Sequence, residues 1–205
     1  MPHFAMVIDL NTCVGCNACM AACAMENQSP VWDVQKWRTY VHDKEIGLGS
    51  DVNRRFFPRL CNHCDNPPCM SVCPTGATQK KENGIVFVDQ DLCMGCRACA
   101  MACPYHARVP VTHADMRKGR EFYGSDYHRT SPSMDKCSFC DHRVEEGRKP
   151  ACVETCVGSA RMFGDLDDPE DPVAQMVASG AARPLMPHIG TRPNVYYIDD
   201  IRWRS

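Results

Sequence analysis

The 205 residues fit one or two compact domains, and 23 Lys and Arg against 25 Asp and Glu give a net charge of −2, with no basic excess for nucleic acid. No window approaches the roughly 18 to 20 apolar residues of a membrane span, which excludes a direct span by this chain. The outlier is sixteen cysteines.

The opening MPHFAMVIDL lacks a basic stretch followed by a long apolar run, and Arg54-Arg55 lies too far inside for a twin-arginine signal, so export is expected to depend on a partner. Within it, AMVID reads as a short strand. The run CVGCNACMAAC brings Cys13, Cys16, Cys19 and Cys23, and its Ala/Met-rich end suits one helical turn. CNHCDNPPCMSVC brings Cys61, Cys64, Cys69 and Cys73. An Asn83-Gly84 turn leads into GIVFVD, a second strand, and CMGCRACAMAC repeats the first spacing with Cys93, Cys96, Cys99 and Cys103. Residues 107–134 show neither cysteines nor clear periodicity, and their Arg, His and Tyr suit an interface and a surface loop equally. CSFCDHRVEEGRKPACVETC supplies Cys137, Cys140, Cys152 and Cys156. The acidic GDLDDPEDP lacks the residue order of a calcium loop and reads as the cap of a short helix over PVAQMVASG. TRPNVYYIDD reads as a strand that closes a sheet or docks on a neighbour. Trp32, Trp37 and Trp203 are assigned only burial or interface packing.

Three chemistries use cysteine at this density. Disulfides need an oxidising compartment, and cysteines two residues apart close poorly. Zinc uses C-x2-C knuckles with a long separation, which partly fits Cys137, Cys140, Cys152 and Cys156 but not the triple runs. The order C-x2-C-x2-C-x3-C is the bacterial ferredoxin spacing, in which thiolates converge on a four-iron cubane. All sixteen cysteines fall into four groups of four with none left over, so four [4Fe-4S] clusters are expected.

MVIDLNTCVGC and VFVDQDLCMGC match at an offset of 80, with Asp9 and Asp89 each four residues before the first cysteine. CNHCDNPPC and CSFCDHRVEEGRKPAC share C-x2-C-D at an offset of 76. The chain therefore reads as a duplicated unit of about 80 residues with two motifs in each copy. Four helical residues advance about 6 Å, enough to carry the fourth thiol of a run towards a second cluster, as in two-cluster ferredoxins. Motifs two and three are separated by nineteen residues and form the compact pair, leaving motifs one and four to close the other. The expected quartets are Cys61, Cys64, Cys69 with Cys103; Cys93, Cys96, Cys99 with Cys73; Cys13, Cys16, Cys19 with Cys156; and Cys137, Cys140, Cys152 with Cys23. The ferredoxin proline follows Cys73 and Cys103, whereas Ala24 and Val157 stand in its place elsewhere, so the outer pair has room for altered geometry or potential.

His63 and His142 are expected to hydrogen-bond near a cluster edge or face solvent, because each motif already has four thiolates. Arg143, Arg148 and Lys149 form either a solvated loop or a positive group that tunes a cluster. No acid, base and nucleophile constellation is present, so no catalytic residue is assigned and one-electron relay is the expected task. A polyferredoxin serving a hydrogenase or formate dehydrogenase, or a soluble carrier, is the alternative.

AMVIDLNTCVGCNAC, ENQSP, PRLCNHCDNPPC, CPTGAT, NGIVFVD, CPYHAR, KCSFCDHRVEEGRKPACVETC, FGDLDDP and GTRPNVYYI follow one another in an order that resembles the iron–sulfur (beta) subunits of the dimethyl sulfoxide reductase superfamily, of the four-cluster kind. PRLCNHCDNPPC and CVGSAR are similar to the tetrathionate and polysulfide branch, and the length of 107–134 is similar to the arsenate-type subunits. The resemblance implies a large catalytic partner carrying a molybdenum or tungsten bis-pterin guanine dinucleotide and a membrane partner that reacts with quinones. It also implies attachment to the membrane through those partners, on the periplasmic face after export in the folded state, with the cytoplasmic face as the alternative. The expected fold class is α+β: a tandem of two bacterial-ferredoxin-like modules, each with two [4Fe-4S] clusters, and loop-rich insertions. Residues 56–110 form the central module, 1–55 with 111–170 the second, and 171–205 a C-terminal helix and strand extension.

Overall fold

The computed structural model describes residues 1–47 and 52–199, so Asp200 and Trp203 lie outside the described residues. In chain order the elements are β1 (Phe4–Asp9), α1 (Ala18–Glu26), β2 (Tyr40–Ile46), β3 (Asn53–Arg59), α2 (Pro68–Ser71), β4 (Thr78–Lys80), β5 (Val86–Val88), α3 (Ala98–Ala102), β6 (Val109–Val111), α4 (His113–Tyr123), β7 (Ser133–Asp135), α5 (Asp141–Glu145), α6 (Ala151–Glu154), β8 (Arg161–Asp165), α7 (Pro172–Ala178), β9 (Arg183–Pro184) and β10 (Val195–Ile198). Helices and strands are mixed along the chain, as the α+β expectation requires.

The four residues Ala5 to Ile8 of β1 are fully buried, because β1 is central in a sheet of order β8-β1-β10-β9. It runs antiparallel to β8 and parallel to β10. Successive side chains point to opposite faces. Met6 and Ile8 join the core shared with Cys19, Cys61, Cys137 and Phe139, while Ala5 and Val7 pack on the other face with Val173 of α7. Pro172 opens α7 and Asp171 caps it, its carboxylate accepting from the Val173 N–H at 2.7 Å and the Asp165 N–H at 2.9 Å. The acidic stretch is thus spent on backbone donors, which is the capping task its sequence suggests.

The duplication reappears as a repeated register. Thr78 lies five residues after Cys73 and pairs with Val88, while Arg161 lies five residues after Cys156 and pairs with Ile8, 80 positions before Val88. Asp9 N–H donates to the Ala160 carbonyl and Asp89 N–H to the Ala77 carbonyl, both at 2.8 Å. The Asp9 and Asp89 carboxylates each accept the N–H two residues on at 2.9 Å, turning the chain into the cysteine run. Helices pair correspondingly, α1 with α6 and α2 with α3.

The helices of motifs one and three differ in length, and a single residue type explains it. Pro104 ends α3 at Ala102, whereas Ala24 lets α1 continue to Glu26. The helix at CMAAC is therefore longer than the single turn expected. Its extension delivers Glu26 to Arg143 and Asn27 to the Cys23 carbonyl, at 2.8 and 3.0 Å.

Residues 107–134 are ordered rather than a loose loop. β6 and β7 pair antiparallel at the two ends of the stretch, and α4 starts on a reciprocal cap between Thr112 and Asp115. Asp115 also accepts from Lys36 Nζ at 2.7 Å and Trp32 Nε1 at 3.1 Å, which gives Trp32 a task beyond packing. At the far end, Asn194 ties β10 to motif two through its side-chain bonds to the His63 carbonyl and the Asp65 carboxylate, at 2.8 and 3.0 Å.

Burial alone would raise the Asp115 pKa, but Lys36, Thr112 and Trp32 outweigh it and hold the carboxyl well below the usual range. Its contribution to stability is therefore fully present above about pH 4 and is lost as the pH falls further. Asp115→Asn is expected to destabilise the protein by about 1–3 kcal/mol at neutral pH. Anaerobic unfolding of both proteins between pH 7 and 3 checks this, and the gap between them narrows on acidification.

Candidate metal centres

The sixteen cysteines line four pockets, and none forms a disulfide. Cys13, Cys16, Cys19 and Cys156 line the first. Cys61, Cys64, Cys69 and Cys103 line the second. The third is lined by Cys93, Cys96, Cys99 and Cys73. The fourth is lined by Cys137, Cys140, Cys152 and Cys23. These are called sites 1 to 4, after the motif that gives three of the four thiols. In every site the last cysteine crosses from another run.

Local backbone explains how three close cysteines turn inward. Gly15 and Gly95 take φ of 68° and 70°, and Asn17 and Arg97 follow at 60° and 66° before their helices begin. A side chain at Gly15 would also strike the Phe56 ring, so this turn admits glycine alone.

The donor set fits a cubane: four cysteine thiols, with no imidazole or carboxylate, line each site. Donors already aim at sulfur: Arg108 Nη2 reaches Cys69 Sγ at 2.8 Å, the Phe139 N–H Cys137 Sγ at 3.3 Å, and the Met134 N–H Cys93 Sγ at 3.4 Å. Asn27 Nδ2 reaches both Cys23 Sγ and Cys140 Sγ at 3.6 Å. Arg161 Nη1, on the wall of site 1, is buried with no acceptor, a donor that a sulfide or thiolate would satisfy. Burial pushes the Cys64 thiol up to about 12, and Cys23 and Cys137 also rise. Loading these sites thus releases protons and needs a strong cation to hold the thiolates. Cys73 is the exception: burial pushes it up, but the Thr75 hydroxyl and the N–H groups of Thr75, Ala77 and Thr78 outweigh this and hold it at about 7.

The sites form a line through their contacts. Site 3 adjoins site 2 through α3 and α2, and site 4 adjoins site 1 through α6 and α1. Sites 2 and 4 meet at His63 and Phe139, each two residues after the first cysteine of its motif, whose rings stack with centroids 3.7 Å apart. Equivalent residues thus meet face to face between the two copies. The eight cysteines of sites 2 and 4 are all buried, whereas Cys16 of site 1 and Cys96 of site 3 are exposed.

The histidines hydrogen-bond or face solvent as expected, and Arg143 and Arg148 pair with carboxylates. His63 is completely buried and lines none of the pockets; burial, then Lys136, drives its pKa well down, and Nδ1 accepts from the Val86 N–H at 3.1 Å. His142 is exposed and pairs with Glu26 at 2.7 Å. Arg143 is buried, but Glu26 and Glu154 take up its charge, so it fastens α1 to α5 and α6 rather than tuning a site. Arg148 is an exposed partner of Glu146. Sequence reasoning passed over Arg108, Lys136 and Arg161, which surround the sites; the one available signal was Arg161 standing where the other copy has Thr78.

Two families described as 4Fe-4S dicluster domains match the chain, over residues 52–166 and 12–77. The chain is 43% identical to the B subunit of the tetrathionate reductase of Salmonella typhimurium over 96% of its own length and 72% of that protein. It is equally similar, 43% with the same coverage, to the B subunit of the selenate reductase of Mesobacillus selenatarsenatis. With the iron-sulfur subunit of the arsenate respiratory reductase of a Shewanella species it shares 37% identity over 96% of both chains.

Cys103→Ser is expected to alter the cluster of Cys61, Cys64 and Cys69 and to spare that of Cys93, Cys96 and Cys99. Low-temperature electron paramagnetic resonance of the anaerobically reduced protein reads this, and loss confined to the Cys93 cluster would refute the crossing.

Proposed function

The chain belongs to the family of iron–sulfur electron-transfer subunits of multisubunit reductases, built on 4Fe-4S dicluster domains, and from that premise we propose that it relays electrons in single file through sites 3, 2, 4 and 1. Each bound [4Fe-4S] cluster supplies one-electron exchange without displacement of atoms. The quartets named above hold the four clusters, with Cys103, Cys73, Cys156 and Cys23 as the crossing ligands. Residues 56–110 act as one module and 1–55 with 111–170 as the other, and the extension from 171 onward contributes β9 and β10 to the sheet of the second.

The observation that carries this reading is the gradient of exposure. Eight buried thiols enclose the two middle sites, and the end sites each present an exposed cysteine. Apolar side chains surround those ends: Val14 and Val157 at site 1 are 60% and 73% exposed, and Leu92 and Met94 at site 3 are 47% and 67% exposed. An apolar collar around a half-exposed cluster suits docking of a redox partner. Two such ends suit two partners: a large catalytic subunit with a molybdenum or tungsten bis-pterin guanine dinucleotide, and a membrane subunit reactive with quinones. Among the described residues no helix is long and apolar enough to cross a membrane; the proposed attachment is through the partner, on the periplasmic face after export of the folded complex. The terminal acceptor or donor belongs to the class of sulfur oxyanions, polysulfide or arsenate.

Anaerobic purification from native cells followed by metal counting tests the proposal. About 16 irons per chain, with stoichiometric molybdenum or tungsten in a co-purifying large subunit, is expected. The same iron on a chain that purifies alone would favour an independent polyferredoxin, and zinc would overturn both. Met94→Glu and Val157→Glu are each expected to slow electron exchange with one partner about tenfold at unchanged iron content.

A further inference from the structure

Each gap in the line of sites contains one buried cation that no carboxylate neutralises. Between sites 1 and 4 it is Arg161, 3% exposed, which lines site 1 and donates through Nη2 at 2.8 Å to Oγ1 of Thr39, a residue on the wall of site 4. Between sites 2 and 3 it is Arg108, 6% exposed, which lines site 2 with Nη2 at 2.8 Å from Cys69 Sγ and donates through Nη1 at 3.1 Å to Oγ1 of Thr78, a residue on the wall of site 3. At the junction of sites 2 and 4, Lys136 is buried and donates to the carbonyls of Val86 and Cys137. Among the described residues these three enter no ion pair, whereas Arg143 pairs with Glu26 and Glu154, and Arg38 and Arg129 share Asp135.

The two arginines occupy corresponding places by different routes. Cys19, Cys69, Cys99 and Cys152 are the third cysteines of their motifs, and each guanidinium acts electrostatically on two of them: Arg161 on Cys152 and Cys19, Arg108 on Cys69 and Cys99. Arg161 stands at the position equivalent to Thr78. In the other copy that position is the threonine, and Arg108 brings its guanidinium to it from beyond motif three. Because the two copies place a positive charge in the same gap from unrelated positions, the gap itself calls for the charge.

A buried cation without a counter-ion is strongly destabilising. The pockets on either side supply the missing negative charge once thiolates and clusters fill them. We propose that Arg161 and Arg108 are positioning residues for electron transfer, each the shared counter-charge of the two clusters in its module, raising both potentials together. The proposal rests on the quartets holding four clusters. An electron crossing the gap leaves one side of the guanidinium and arrives on the other; the total charge around the arginine is unchanged, and no proton moves because arginine stays charged throughout. A cation held between the two sites stabilises the electron on both, so neither becomes a trap.

The test is a potentiometric titration of the purified complex followed by electron paramagnetic resonance, for wild type, Arg161→Met, Arg161→Lys, Arg108→Met and Arg108→Lys. In Arg161→Met two of the four signals are expected to move to lower potential, by about 59 mV or more, which is a tenfold fall in the reduced-to-oxidised ratio. The other two signals move in Arg108→Met. The lysine variants keep the charge and stay near wild type. Should a methionine variant lose iron, glutamine at the same position, polar but uncharged, replaces it in the comparison with lysine. Unmoved potentials at full iron content, a single moving signal, or an equal shift of all four would overturn the proposal. Fewer than four clusters in the wild type would overturn the reading beneath it instead.

Discussion

One turn of helix separates Cys19 from Cys23, and Cys99 from Cys103, yet the two thiols of each pair line different pockets. Neither motif of a module completes a quartet alone. Packing of α1 on α6 and of α2 on α3 brings the crossing thiols to their places, and the β1/β8 and β4/β5 ladders hold the helices in register. Because loading a site stabilises only the assembled pair, cluster binding and folding of a module are coupled.

Charge placement separates structure from electron handling. Asp135 accepts from both Arg38 and Arg129, and Glu26 and Glu154 accept from Arg143, so these cations are ion-paired within the protein and lock segments distant in sequence. Arg108, Lys136 and Arg161 differ in having only carbonyls, hydroxyls and thiols around them. The interior is therefore built with positive charge in the gaps and thiols in the pockets. Such an arrangement is balanced only when the pockets carry anionic contents.

Much of this was legible because cysteine spacing is a local property. The four groups, the offset of 80 and the strands before motifs one and three needed no knowledge of distant contacts. Even the cap at Asp171 was readable, since a carboxylate followed by proline announces a helix start. The order within 107–134 was missed although Thr112 and Asp115 carry a capping box in plain sequence; the partners that make it matter, Trp32 and Lys36, lie about 80 residues away. The gap cations were illegible for the same reason, since a guanidinium reaching Cys69 from position 108 follows no repeat. His63 illustrates the limit most clearly: its spacing in CNHC fits a ligand as well as a spacer, and only the packing of Phe139 on its ring shows it as the contact between the copies.

An anaerobic crystal of the loaded protein, measured at the iron absorption edge, tests the central claim most directly. The account predicts four iron centres in single file, in the order of sites 3, 2, 4 and 1, with Cys73, Cys103, Cys23 and Cys156 each bound to the centre of the neighbouring motif. Four centres each held by the consecutive cysteines of one run, or a branched arrangement in which sites 1 and 3 adjoin, would contradict it.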